Sequence, residues 1–118
     1  MAETSEKKTL SYFYVLYCKD KSLYAGYTTN LKRREKEHNS GRGAKYTRPQ
    51  SRRPLTMIYA ESYQTRSQAT KAEAAFKKLT RTKKEKYLKE NGVTFPINPS
   101  KECIIVERGE DNEEPAKL

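Results

Sequence analysis

The apolar positions along the chain change period several times, and each change marks an element. Tyr12 to Cys18 reads Tyr-Phe-Tyr-Val-Leu-Tyr-Cys, apolar on both alternating faces. A strand covered on both sides needs such a run, so this stretch predicts a central strand. Lys19-Asp20-Lys21-Ser22 is a polar turn, and Leu23 to Tyr27 returns as the second strand of a hairpin. Thr28-Thr29-Asn30 offers capping side chains ahead of a helix from Leu31 to His38. Residues 40–54 hold Gly41, Gly43, Pro49 and Pro54 and read as a loop, and Leu55 to Tyr63 is a further apolar strand. A helix from Ser67 to about Leu79 places Ala69, Ala72, Glu73, Phe76 and Leu79 on one face. Thr82 and Glu85 have capping-box spacing for a last helix to Asn91, with Gly92 where a C′ glycine belongs.

The order β-β-α-β-α-α predicts an α+β fold, a small three-stranded mixed sheet flanked by helices. Residues 1–10 read as a disordered leader, 11–92 as the folded domain and 93–118 as a largely disordered C-terminal tail. Cys103 to Val106 has the composition of a short strand, but the Pro, Ser and acidic residues around it favour a tail.

Charge narrows the function. The net charge is +10, and residues 1–91 alone carry 22 Lys/Arg against 9 Asp/Glu, which is +13. A domain this basic attracts polyanions. A membrane surface is the weaker partner, because no amphipathic helix carries Trp or Phe along one face. The N-terminus has no apolar signal region, and no apolar run approaches the ~20 residues of a membrane span. A cytoplasmic location is therefore expected. Cys18 and Cys103 have no second Cys or His at ligand spacing, which argues against a zinc site, and a disulfide is not expected in that compartment.

Several residues then stand out chemically. Leu31, Arg34 and His38 share one helical face, whereas Arg33 lies on another, where Glu37 pairs with it in solvent. Arg34 is the functional candidate, set against a plain solvated charge. Glu73 lies on an apolar stripe, so it must be paired, protonated or bound to a cation. A metal ligand and a salt bridge to a neighbouring Lys are both open. Tyr14 and Tyr24 sit ten positions apart across the hairpin and are able to meet, although any one of nine tyrosines is as readily core filling. Gly26 permits close backbone approach at the strand's end. His38 is the one histidine, structural or catalytic. In the basic loop Arg42, Lys45 and Arg48 suit a phosphate backbone and Tyr46 suits stacking on a base, against the alternative of a solvated loop.

Taken together, these residues resemble the GIY-YIG nuclease family. Tyr12-Phe13-Tyr14 stands for the first triplet, keeping its tyrosine, and Tyr24-Ala25-Gly26 for the second, keeping Tyr and Gly. The family's helix arginine falls on Arg34, a histidine of several members on His38, and the metal-binding glutamate on Glu73. The likeness runs from about Tyr12 to Leu88, and Ala44-Lys45-Tyr46-Thr47-Arg48 with Lys77-Lys78-Leu79 is similar to the small stand-alone bacterial YhbQ/YazA-like group. The resemblance implies a GIY-YIG fold and metal-dependent endonuclease activity on DNA, branched, damaged or single-stranded, in repair or processing.

In that scheme Glu73 holds one Mg²⁺ or Mn²⁺, Arg34 clamps the phosphate, and Tyr14 or Tyr24 helps take the water's proton with His38 in support. One departure concerns an asparagine that many members carry after the glutamate. The corresponding stretch reads Thr82-Lys83-Lys84-Glu85-Lys86-Tyr87, and Asn91, at a helix end, is the one candidate. A non-catalytic nucleic-acid-binding module and a basic adaptor for an acidic protein partner are the rival readings, and monomer and dimer stay open. The nuclease reading carries a geometric expectation: Tyr14, Tyr24, Arg34 and Glu73 converge in one basic, concave patch.

Overall fold

The computed structural model describes residues 9–108; residues 1–8 of the expected leader and 109–118 of the expected tail lie outside that range. β1 (Ser11–Tyr17) and β2 (Leu23–Thr28) form the expected hairpin, closed by bonds between Cys18 N and Ser22 O at 2.9 Å and between Lys21 N and Cys18 O at 2.8 Å. β3 (Thr56–Tyr63) lies antiparallel along the other side of β1.

The sheet has four strands, not three. β4 (Ile104–Glu107), drawn from the segment read as a tail, runs parallel to β3 and completes the order β2-β1-β3-β4. A parallel partner needs a long crossover, and residues 64–103 supply it through two helices. The strand is faint in sequence because it is a short edge. Ile104 and Val106 pack on the core, while Ile105 is 53% exposed.

Three helices cover the sheet on both faces: α1 (Leu31–Asn39), α2 (Arg66–Lys77) and α3 (Arg81–Glu90). Alternate residues of β1 go to opposite sides. Phe13 and Val15 join Ala69, Ala72 and Phe76 of α2 and Tyr87 and Leu88 of α3. Tyr14 and Leu16 join Met57 and Ala60, with Leu31 of α1 packed against them. That double burial is why β1 is apolar throughout. The β1–β3 register slips between Val15 and Leu16, so Val15 faces Tyr59 while Leu16 faces Met57. The extra residue, Ile58, turns into the same cluster as Tyr59.

Side-chain caps fix the helix starts. Asn30 Oδ1 accepts from Arg33 N at 3.0 Å to open α1, and Thr65 with Gln68 forms a capping box on α2. α3 differs from expectation. Its cap is Thr80, whose hydroxyl accepts from Lys83 N, and Glu85 turns instead to Arg81 Nε at 2.7 Å. Gly92 follows the helix with φ +106°, as a C′ glycine should. Cys18 and Cys103 are both free thiols. Among the described residues no helix is long and apolar enough to cross a membrane.

Candidate active site

Tyr14 occupies the middle of β1, directly across the hairpin from Gly26. A Cβ on Gly26 would lie 2.5 Å from the Tyr14 hydroxyl oxygen and 2.6 Å from Cζ. The ring therefore lies flat over β2, and only a glycine leaves room beneath it. This crossing carries the hydroxyl to α1, where it meets His38 Nε2 at 2.8 Å.

The neighbours of His38 decide its tautomer. Thr47 Oγ1 gives its own proton to the Ala44 carbonyl at 3.0 Å, so it accepts from His38 Nδ1 at 2.7 Å. Nδ1 thus carries the hydrogen and Nε2 is an acceptor, and Tyr14 donates to it. The chain Tyr14→His38→Thr47→Ala44 is fully directed. His38 is 0% exposed, and burial, followed by the charge of Arg34, lowers its pKa to about 4. Burial pushes Tyr14 up to about 12, against the opposing pull of Arg34. Gly43 lets the loop close over the imidazole, since a Cβ there would collide with Nδ1.

Arg34 lies one turn before His38. Its Nε donates to the Tyr14 hydroxyl at 3.4 Å and its Nη1 to Glu37 Oε1 at 2.9 Å. Glu37 pairs with Arg33 as its spacing suggests, at 3.6 Å, but its shorter bond is to Arg34. The carboxylate sits between the two arginines because i+3 and i+4 are both within reach on a helix. Burial works against the charge of Arg34, yet its bonds to Glu37 and Tyr14 hold its pKa above the ordinary value.

Tyr24 stands diagonal to Tyr14 in the hairpin, opposite Leu16. Its ring meets His38 edge-on at 5.4 Å between centroids, as Tyr14 does at 5.8 Å. The two tyrosines thus meet through the imidazole. Glu73, half-buried on α2, pairs with Lys77 Nζ at 2.7 Å, and Lys77 lies 5.9 Å from the Tyr24 ring centroid. The charge of Glu73 also acts on Tyr14. Five predicted residues, Tyr14, Tyr24, Arg34, His38 and Glu73, therefore share one neighbourhood.

The loop residues divide. Arg42, Lys45 and Arg48 are exposed around the site. Tyr46 is 37% exposed, with its ring already engaged. Its ring stacks on Tyr24 at 5.7 Å and 17°, with Arg52 held 3.8 Å from its centroid. The aromatic that looked available in sequence is used to wall the site. Asn91 also lies elsewhere. As the cap of α3 it binds the Tyr87 carbonyl at 2.9 Å and Arg108 at 3.0 Å.

Thr47, Gly43 and Glu37 carry much of this geometry, and sequence reasoning does not single them out as site residues. Only Glu37 has a sequence signal, its spacing from Arg34. The donor set for a metal is small. Among the described residues no three His, Cys, Asp or Glu side chains cluster as ligands, leaving Glu73 with one oxygen already on Lys77. Those residues therefore form no cage of protein ligands. The set fits a hard cation of the magnesium type, which keeps waters and takes one carboxylate together with substrate phosphate.

A model of the GIY-YIG catalytic domain matches residues 10–87. This chain belongs to the GIY-YIG family. Among its relatives is an Enterococcus faecalis UPF0213 protein, 66% identical over 84 residues, which are 71% of this chain and 96% of the relative. Another is the UPF0213 protein YazA of Bacillus subtilis, 52% identical over 95 residues, 80% of this chain and 88% of YazA. A solution NMR structure of an E. faecalis protein is 59% identical to this chain with a TM-score of 0.52, covering 78% of this chain and 96% of that one. The family match ends near Tyr87, so β4 lies beyond it.

Proposed function

We propose that this GIY-YIG domain is a metal-dependent endonuclease that hydrolyses DNA phosphodiesters, with little sequence preference of its own. The observation that carries the reading is the directed chain from Tyr14 through His38 to Thr47, with Arg34 on the same phenol. Because the Tyr14 proton points at Nε2 and Arg34 Nε takes one lone pair, the phenol oxygen keeps one lone pair for another donor. A water seated there gives its proton to Tyr14 as Tyr14 passes its own to His38. His38 ends as an imidazolium with both nitrogens bonded.

At rest that imidazolium is disfavoured, by burial and by the Arg34 charge. A bound phosphate offsets the second of these. It takes the guanidinium's open donors and brings negative charge beside the site, so the acceptor strengthens when substrate is present. Arg34, held by Glu37, meets a non-bridging oxygen and stabilises the charge that develops on it. Glu73 would hold Mg²⁺ or Mn²⁺, released from Lys77, and the ion supplies Lewis-acid stabilisation of the phosphate and the leaving oxygen. Exposed Arg42, Lys45 and Arg48 neutralise neighbouring phosphates of the strand. A structure-directed role on branched or single-stranded DNA suits a domain that meets the strand through a basic face.

The test is cleavage of plasmid, single-stranded and branched DNA with Mg²⁺ or Mn²⁺ by wild type, Arg34→Ala and Glu73→Ala. We expect wild-type cleavage that EDTA abolishes and that each substitution lowers by at least about 100-fold, the scale of losing one preorganised donor. Undiminished cleavage by both variants would place the chemistry elsewhere. No cleavage by wild type, with DNA binding retained, would leave a binding module.

A further inference from the structure

Beyond Tyr46 and Thr47 along the chain, the loop folds back against the β1–β2 turn. Lys19 N donates to the Arg52 carbonyl at 3.0 Å, which fixes the two segments to one another. Between them and the end of α1 lies an open cleft of about 450 Å³ lined by Lys19, Asn39, Gln50, Arg53 and Pro54. Its lining holds two cations, two amides and no carboxylate. Asp20, the nearest acid in sequence, is taken up by Arg52 at 3.1 Å and by Ser22.

Arg53 is the telling residue. Among the described residues it pairs with no carboxylate, in contrast to Arg33, Arg34 and Arg52. Among the described residues its guanidinium makes one hydrogen bond, a long one from Nη1 to the Asn39 carbonyl at 3.4 Å, and its Nε is buried without any partner. Gly41, at φ +84°, leaves the space the guanidinium occupies, since a Cβ there would come within 3.3 Å of Nη1. A half-buried guanidinium with an unanswered N–H is costly, and it calls for an acceptor that the fold itself does not provide. Asn39 is spoken for, with both amide atoms on Leu55 at 3.0 and 2.7 Å. It serves as a rigid wall.

We propose that this cleft is a second phosphate site, in which Arg53 and Lys19 seat a backbone phosphate of the nucleic-acid strand whose scissile phosphate lies at Arg34. This rests on the nuclease reading above. Asn39 follows His38 directly and Gln50 shares the loop with Thr47, so the cleft adjoins the catalytic cluster along the chain. A diester entering it meets the charge and the outer nitrogens of the Arg53 guanidinium, while Lys19 adds a point charge. The cleft thereby fixes the strand's direction across the site without reading its bases.

The test is the salt dependence of DNA binding, measured by fluorescence anisotropy on a labelled duplex for wild type, Lys19→Gln, Arg53→Gln and, as a control, Lys101→Gln. Removing one phosphate-neutralising cation lowers the slope of log K against log salt by about 0.9 on duplex DNA. We expect that reduction in Lys19→Gln and Arg53→Gln, a rise in KM for cleavage in both, and the wild-type slope in Lys101→Gln. Lys19 is exposed, so its variant decides the matter even if Arg53→Gln fails to fold. Wild-type slopes in Lys19→Gln and in folded Arg53→Gln, with wild type binding DNA normally, overturn this site alone. No salt-dependent binding by wild type overturns the nuclease reading and this site together.

Discussion

At the level of single residues, Gly26 shows how much a missing side chain can position. Tyr14 reaches His38 because nothing projects from the strand beneath its ring. Gly26→Ala would put a methyl 2.5 Å from the phenol oxygen, and the ring must lift away. We expect cleavage to fall by about 100-fold, the scale of an ångström-sized misplacement, with a far smaller change in DNA affinity. Single-turnover rates and binding isotherms on the same variant separate the two, and equal losses in both would argue for general unfolding instead. The sequence made Gly26 visible as a place of close approach, and it separated Arg34 from Arg33 by helical face. It could not show what fills the space above the glycine. Nor could it show Thr47, whose role depends on a loop closing over His38 nine residues away, a matter of tertiary geometry with no local period. The packing of Tyr46 was hidden for a related reason. Interleaved with glycine and cations it has the composition of a base platform, and only the fold reveals that its ring lies on Tyr24.

Among elements, β4 and α3 are tied to the sheet by a polar knot inside the apolar core. Glu61 on β3 is 0% exposed and accepts from Tyr59 at 2.7 Å, Tyr63 at 2.6 Å and Tyr87 of α3. Arg108, just past β4, stands 3.6 Å from the same carboxylate, and its backbone N–H extends the ladder to Ser62 at 2.8 Å. Burial first, then the carboxylate, holds all three phenols above their ordinary pKa, Tyr87 at about 12, so they remain donors across the neutral range. Glu61→Gln replaces an acceptor-only group by one that is half donor, leaving a phenol without its acceptor and Arg108, still bonded to Asn91, without its counter-charge. Breaking a buried pair costs about 3–5 kcal/mol, and urea unfolding should show a midpoint shift of that size; a shift under about 1 kcal/mol would mean the carboxylate contributes little. The strands and helices were legible because their periods differ, 2 against 3.6. The knot is harder to read, although a Glu within Met57-Ile58-Tyr59-Ala60-Glu61, flanked by tyrosines at two-residue spacing, is its signature. The fourth strand stayed faint because half of its side chains face solvent, where pattern carries no information.

For the molecule as a whole, the candidate site is also a joint, where β1, β2, α1 and the basic loop meet on one imidazole. Its protonation therefore bears on global stability. In the unfolded chain His38 takes up a proton near pH 6.5, and in the fold only near pH 4, because burial and then Arg34 oppose the charge. Between those values the unfolded state binds the proton and the native state does not. The contribution is complete above pH 6.5 and is lost progressively as pH falls toward 4. Urea midpoints between pH 7 and 4.5 should fall more steeply for wild type than for His38→Gln, and parallel curves would remove His38 as the cause. The parallel pairing of β3 with β4 has a consequence for how the protein is made. Residues up to Glu90 bring every member of the candidate site off the ribosome before β4 exists. Until residues 104–108 follow, β3 is an open edge, and Glu61 lacks the cation that stands beside it in the finished fold. Among the described residues β4 is the strand synthesised last, and it covers the long β3 edge with a short, half-exposed one.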